Sequence, residues 1–250
     1  MVINKIKSLL ENCSTDQAFF PPTILYNEGW MLRLITDWFS TYKLEDHPLS
    51  VPESCKWYSE ALLPSAFLPR SRSDSLAESW THADGVIGHF EIGKGAKGNL
   101  ILLPDASHFV VIEAKMFSKL SSGVKHAAYF DQAARNVACM AETMKRGRCS
   151  PFKFTCQGFY VLAPQTQIEQ GIFAADLNRD SIKGKVERRV KEYGEQDHWF
   201  MQWFIPTLAR IKIEAISWEE LIGTIGKRDR DTGRELDEFY KLCLQYNQKE

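Results

Sequence analysis

The sequence lacks the features that mark several classes of protein. It contains no Cys-x-x-Cys pair and no Cys/His spacing typical of a zinc site, so its six cysteines are expected to be reduced thiols. It has no N-terminal signal-peptide pattern and no run of about 18 apolar residues that could span a membrane. Internal repeats and low-complexity tracts are also absent. These absences predict a cytoplasmic protein with no membrane partner.

An excess of charge of either sign is lacking too. The 250 residues include 31 Lys and Arg against 32 Asp and Glu, for a net charge of −1 and a pI of about 6.6. This balance argues against a basic protein that coats DNA, although it is compatible with an enzyme that holds DNA through one local surface and a metal ion. A composition of 44% hydrophobic and 25% charged residues is that of an ordinary globular chain. The length predicts a single domain over residues 1–250.

The pattern of apolar residues changes along the chain. Residues 23–41 have apolar side chains at helical spacing, and residues 54–63 are also predicted to form a helix. The following pattern predicts three strands, a helix and a fourth strand, over residues 85–92, 99–103, 109–115, 127–145 and 152–162. The last part predicts helices over 179–193, 198–210 and 235–246, with a short strand over 211–216. The connection between the third and fourth strands is long enough for a parallel crossover.

The third predicted strand ends in two charged residues, Glu113 and Lys115. They are two positions apart, so on a strand they point to the same face. Charged groups at the end of an apolar strand are costly if buried, and a metal site would give a reason for both. A carboxylate binds a hard cation such as Mg²⁺, and an ammonium can activate water or stabilise charge on a phosphate. The competing interpretation is that Glu-x-Lys is a common tripeptide, usually exposed on a surface.

Together with the order of the predicted elements, the segment from Val110 to Lys115 (VVIEAK) resembles the catalytic strand of the PD-(D/E)XK nuclease superfamily. The resemblance covers residues from about 55 to 163 and the superfamily's core order of α-β-β-β-α-β. It implies a restriction-endonuclease-like α/β (α+β) fold, with a central mixed sheet of about four to five strands flanked by helices. Helical extensions over 1–54 and 164–250 would flank this core. The implied activity is a Mg²⁺-dependent (or Mn²⁺-dependent) deoxyribonuclease of restriction, defence or repair.

The superfamily's second metal-binding carboxylate is an earlier aspartate, and two residues compete for this role. Asp105 matches the family name in Pro104-Asp105. A tight turn there would put Asp105 roughly 10 Å or more from Glu113, at about 3.3 Å per residue. Asp84 begins the first predicted strand, and it would lie beside Glu113 if that strand paired directly with the third. A simple meander does not allow this pairing. The register argument favours Asp84, and both residues stay candidates for binding the metal with Glu113.

Further polar residues are candidates to complete the site. The superfamily often supplies a glutamate from the helix before the strands, and Glu60 and Glu78 are candidates here. Exonuclease-like branches place a glutamine on the helix after the catalytic strand, where Gln132 stands. Arg135, three residues later, would share its helix face and could meet a phosphate. The basic residues that predict contacts with a DNA backbone are Lys119, Lys125, His126, Lys145, Arg146 and Arg148.

Two other functions compete with a nuclease that acts on DNA. One is a catalytically inactive module of the same fold that binds DNA or protein, which the near-neutral charge would suit. The other is an unrelated α+β protein in which Glu-Ala-Lys occurs by chance. The retained Glu113 and Lys115 favour the enzyme. Because many enzymes of this type cut two strands as dimers, a homodimer is also compatible with the resemblance.

Overall fold

The computed structural model describes residues 2–16, 18–94, 98–124 and 126–248. The strands are β1 (Lys56–Leu63), β2 (Thr81–Gly88), β3 (Phe90–Ile92), β4 (Leu100–Leu102), β5 (His108–Ala114), β6 (Cys156–Ala163) and β7 (Lys212–Ser217). Five of them form a mixed sheet in the order β1-β2-β5-β6-β7, and β3 and β4 form a separate two-stranded sheet. The predicted central mixed sheet is confirmed.

Helices flank this sheet on both faces. They are α1 (Val2–Glu11), α2 (Glu28–Tyr42), α3 (Gln132–Gly147), α4 (Gln165–Glu169), α5 (Arg179–Tyr193), α6 (Asp197–Trp199), α7 (Ile205–Arg210), α8 (Trp218–Arg228) and α9 (Arg230–Asn247). A π-helical segment, Phe200–Phe204, joins α6 to α7. Within the described ranges, no helix is both long and apolar enough to cross a membrane.

Strand β5 lies at the centre of the sheet and is buried on both faces. Phe109 and Val111 belong to one hydrophobic core, together with residues of α3 and α5. Val110 and Ile112 belong to a second core, together with residues of α2, α8 and α9. All seven residues of the strand are buried, as expected for a central strand covered on both sides. A charged residue at the end of this strand is therefore held in a rigid, largely water-free setting.

The prediction of a helix over residues 54–63 is wrong, because this segment forms strand β1. Its first residues alternate between exposed and half-buried, and the last three, Ala61–Leu63, are all buried. Trp57 and Tyr58 are residue types that favour strands. A short apolar run is compatible with either period, and pairing with β2 decides the outcome here. Glu60 consequently lies on a strand, with a φ angle of 61°.

The strand predicted over residues 99–103 does not belong to the central sheet. Its structural counterpart, β4, pairs with β3 as a ribbon whose closing residues 95–97 lie outside the described residues. Because this ribbon leaves the sheet, β2 pairs directly with β5 in antiparallel orientation. The predicted crossover through α3 is confirmed, since β5 and β6 are parallel. Strand β7 extends the parallel part of the sheet beyond β6.

Candidate metal site

Asp84 and Glu113 meet at the point where β2 and β5 separate. Backbone pairing of the two strands ends at Gly85 and Ile112, and the same register continued by one residue places Asp84 opposite Glu113. The carboxylate of Asp84 accepts a hydrogen bond of 2.8 Å from the N–H of Ala114. A side-chain oxygen thus takes the place that a backbone carbonyl of β2 would have in a continued ladder. The end of the ladder thereby brings a second carboxylate beside the first.

Glu113 is only 1% exposed and is held by three side chains. Lys115 Nζ donates to Oε1 at 2.7 Å, and Asn136 Nδ2 donates to Oε2 at 3.2 Å. Gln132 Nε2 also donates to Oε1. Gln132 and Asn136 are four residues apart on α3, so both amides project from one face of the helix. The beginning of α3 therefore fixes the position of the carboxylate at the end of β5.

The charges around Glu113 are unbalanced. Burial, followed by the negative charge of Asp84, raises the pKa of Glu113 to about 8, even though Lys115 lowers it. Among the ion pairs of the described residues, Lys115 contacts Glu113 and no cation contacts Asp84, so this part of the described structure is short of positive charge. A divalent cation bound by both carboxylates would remove the repulsion between them.

The described ranges contain no group of three or more His, Cys, Asp and Glu side chains that could hold a metal by themselves. Asp84 and Glu113 would therefore supply two carboxylates, and water or substrate would complete the coordination. Mg²⁺ is suited to this arrangement, because it keeps several waters and commonly binds through one or two carboxylates together with substrate phosphates.

Gln132 also connects Glu113 to the loop that follows β5. Its Oε1 accepts hydrogen bonds from the backbone N–H of Ser121 at 3.1 Å and from the Ser121 hydroxyl at 3.3 Å. The preceding residue, Asp131, caps α3 by accepting from the Ala134 N–H at 3.0 Å. These contacts leave the Gln132 amide little freedom to rotate. Gln132 is thus a positioning residue for the Glu113 carboxylate.

Lys115 lies just beyond the end of β5, with a side chain that is 12% exposed. Its backbone N–H donates to the Leu162 carbonyl at 2.8 Å, and its own carbonyl accepts from Trp218 Nε1 at 2.9 Å. Because the backbone is held on both sides, the ammonium is directed towards Glu113. Part of the side chain still reaches solvent.

Asp105 lies at the opposite end of β5 from Glu113. It is exposed in the turn that precedes His108, the first residue of the strand. Five steps along β5 separate His108 from Glu113, which is roughly 16 Å at about 3.3 Å per residue. The structure therefore brings Asp84, and not Asp105, beside Glu113.

The two predicted glutamates are each paired with an arginine. Glu60 lies 3.5 Å from Arg33 of α2 and has a side chain that is 52% exposed. Glu78 is buried and lies 2.7 Å from Arg189 of α5. Burial raises the pKa of Glu78, whereas Arg189 and then Arg135 lower it. Arg135, which was predicted to meet a phosphate, thus faces the Glu78–Arg189 pair.

Sequence reasoning missed two residues of these clusters. Asn136 follows Gln132 by four positions, so its helical spacing could have identified it. Arg189 lies 111 positions from Glu78, and no local pattern predicts their pairing. Of the predicted basic residues, His126 is exposed beside Arg189, with its Nε2 3.4 Å from Arg189 Nη2, and Lys125 lies outside the described residues.

Comparisons with protein-family models, with curated proteins and with solved structures found no match. The chemistry of this site is therefore inferred from its own geometry.

Proposed function

We propose that this chain is a Mg²⁺-dependent deoxyribonuclease with a restriction-endonuclease-like core of the PD-(D/E)XK type. The observation that carries the proposal is the convergence of Asp84 and Glu113 from neighbouring strands, with Lys115 hydrogen-bonded to Glu113. The arrangement of elements adds support, because the parallel crossover from β5 through α3 to β6 lies directly behind these residues. DNA would be the partner, bound through its phosphate backbone near the metal.

Asp84 and Glu113 would hold the metal ion through their carboxylate oxygens. When bound, Mg²⁺ neutralises charge on the phosphodiester and lowers the pKa of a water molecule in its coordination shell. Gln132 and Asn136 hold the Glu113 carboxylate through their amide groups and so fix its orientation at the site. The second core and the buried strand exclude water from the rear of the site.

Lys115 would act on the substrate itself. Its ammonium lies 2.7 Å from the Glu113 carboxylate, at the edge of the metal-binding oxygens. From this position it would stabilise negative charge on the phosphate or hold a proton exchanged with the attacking water. Loss of this group should lower the rate of cleavage more than it lowers the affinity for the metal.

The test compares wild type with Lys115→Ala and Lys241→Ala on linear, circular and single-stranded DNA, with Mg²⁺, with Mn²⁺ and with EDTA. Lys241 is a matched control, because it is also ion-paired, at 2.6 Å from Asp237, but lies exposed on α9. We expect metal-dependent cleavage by wild type and the control, and a rate roughly 10²–10⁴-fold lower for Lys115→Ala. A wild type that is as inert as Lys115→Ala on every substrate with both metals would contradict the proposal.

A further inference from the structure

A groove with a volume of about 830 Å³ opens at the β1 edge of the sheet. The residues that line it include Tyr58, Glu60 and Leu62 of β1, His82 of β2, and Trp80 just before β2. This volume is within the range of roughly 300–1,000 Å³ typical of sites for small organic molecules. We call it the β1 groove.

The β1 groove is adjacent to the candidate metal site. The register of β1 with β2 places Glu60 opposite Asp84, and the register of β2 with β5 places Asp84 opposite Glu113. Two strand spacings, roughly 10 Å, therefore separate the backbone of Glu60 from that of Glu113. A flexible polymer bound at the metal site could reach the groove over this distance.

The groove presents aromatic rings to solvent. Tyr58 is 37% exposed, although it lies on a strand of the central sheet. The guanidinium of Arg146 lies over the ring of Trp80, 5.4 Å from its centroid, which holds one face of the indole in place. Flat rings of this kind attract other flat rings, and nucleic-acid bases stack on them regardless of sequence.

The charged side chains beside the groove are held in ion pairs. The carboxylate of Glu60 lies 3.5 Å from Arg33, and the guanidinium of Arg146 lies 2.8 Å from Glu142. A phosphate would gain little in such a groove, whereas an uncharged base would gain from stacking. The groove and the metal site thus differ in chemistry: the first suits bases and the second suits phosphates.

We infer that the β1 groove binds unpaired bases of a single DNA strand whose backbone passes the candidate metal site. Bases inside a duplex have both faces covered by their neighbours, so they cannot stack on Trp80 or Tyr58. The inference rests on the proposed nuclease function and specifies its substrate as single-stranded DNA or a frayed duplex end. A peptide or a small apolar molecule is the competing occupant.

The test measures binding of a fluorescently labelled oligo(dT) and of a duplex of equal length, in EDTA so that no cleavage occurs. The proteins are wild type, Trp80→Ala, Trp80→Phe and Phe152→Ala. Phe152 is a matched control, since its ring is 68% exposed and Arg210 lies 5.7 Å from its centroid. We expect Trp80→Ala to weaken oligo(dT) binding roughly 5- to 150-fold, equivalent to about 1–3 kcal/mol. Trp80→Phe should retain most of the affinity, and Phe152→Ala should match wild type.

Several outcomes would overturn the inference. One is an unchanged affinity of Trp80→Ala for oligo(dT), and another is a loss of affinity in Phe152→Ala equal to that in Trp80→Ala. The third is no oligo(dT) binding by wild type, and the occupant of the groove would then be a peptide or an apolar molecule. Melting temperatures identify variants that fail to fold. If Trp80→Ala fails, Trp80→Leu takes its place, because it keeps an apolar side chain without a flat ring and should lose oligo(dT) binding while Trp80→Phe retains it. Trp80-dependent binding in a protein that cuts no DNA would overturn the nuclease but support the groove. Metal-dependent cleavage of DNA, with oligo(dT) binding that does not depend on Trp80, would support the nuclease and overturn the inference about the groove.

Discussion

Two buried glutamates in this molecule look alike at first sight. Glu113 is 1% exposed and Glu78 is 3% exposed. Each forms an ion pair of 2.7 Å, with Lys115 and Arg189 respectively. Burial raises the pKa of both carboxyl groups. Burial and ion pairing therefore do not distinguish a candidate metal ligand from a residue that stabilises the fold.

The two glutamates differ in the charged residue that lies beside each ion pair. Beside Glu113 it is Asp84, whose negative charge raises the pKa of Glu113 further. Beside Glu78 it is Arg135, whose positive charge lowers the pKa of Glu78. One cluster has an excess of negative charge that a cation would neutralise, and the other already has its counter-ions. Like charges brought together in a protein interior are therefore the better indicator of a functional site.

The largest effect is expected from Glu113→Gln, which removes the charge and keeps the size of the side chain. Metal-dependent DNA cleavage should fall by on the order of 10⁴-fold, about 5 kcal/mol of barrier, because the metal loses a ligand. The free energy of unfolding should stay equal or rise, because the repulsion between Glu113 and Asp84 is gone. Single-turnover cleavage and urea unfolding measure the two quantities. A loss of more than about 2 kcal/mol of stability would instead make Glu113 a structural residue comparable to Glu78.

Glu78→Gln should have the opposite profile. Arg189 is 0% exposed, so the substitution leaves a buried guanidinium without its carboxylate. The free energy of unfolding should fall by about 3–5 kcal/mol, the usual result of breaking a buried pair from one side. The folded fraction should still cleave DNA at close to the wild-type rate, measured below the melting temperature. A stability equal to that of wild type would remove the contrast between the two glutamates.

The sequence was informative about this comparison only where the relevant pattern is local. Glu113 lies on one short strand and Lys115 follows it by two positions, so their spacing and the order of the predicted elements were enough to single them out. Gln132, at the start of the next helix, was singled out by the resemblance to the nuclease superfamily. The choice between Asp84 and Asp105 depended on which strands pair, and strand pairing over 29 residues leaves no mark in a local pattern. The departure of β3 and β4 from the sheet decided it.

In the fold as well, features set by local patterns could be predicted and features set by long-range contacts could not. The helices on either side of β6 and the parallel crossover follow from apolar spacing and from the length of the connection. Strand β1 was predicted as a helix, because a short stretch with Trp57 and Tyr58 followed by Ala61–Leu63 fits both periods. Its identity depends on β2, which covers one of its edges. Likewise, the pairing of Glu78 with Arg189 depends on where α5 packs.

A smaller effect is expected at His108, which lies at the other end of β5 and tests burial without a partner of opposite charge. It is 7% exposed, and its Nε2 has no hydrogen-bond partner within the described part of the chain. Burial, followed by the charge of His89, lowers the pKa of His108 to about 4. The folded state therefore binds fewer protons than the unfolded chain between about pH 6.5 and pH 4. Stability should be complete above this window and should fall by up to about 3 kcal/mol as the pH drops through it.

His108→Gln should flatten the pH dependence of the unfolding free energy in this window, measured by urea unfolding from pH 7 to pH 4. The slope that remains has a known source in His47, since burial also lowers the pKa of that residue to about 4. His198→Gln is the control, because His198 is exposed at α6. An unchanged slope in His108→Gln would mean that a buried group of β5 can become charged without a loss of stability. Burial would then be a weaker reason for the raised pKa of Glu113.

The smallest effect is expected from Asp105→Asn, compared with Asp84→Asn over a range of Mg²⁺ concentrations. Asp105 is exposed in a turn at the far end of β5, so its substitution should change stability by less than about 0.5 kcal/mol and leave cleavage unchanged. Asp84→Asn keeps an oxygen that can accept from the Ala114 N–H, and yet it removes the charge that faces Glu113. It should therefore raise the Mg²⁺ concentration needed for cleavage while preserving the fold. If Asp105→Asn had the larger effect, the metal would bind at the start of β5, and the excess of negative charge around Glu113 would need another explanation.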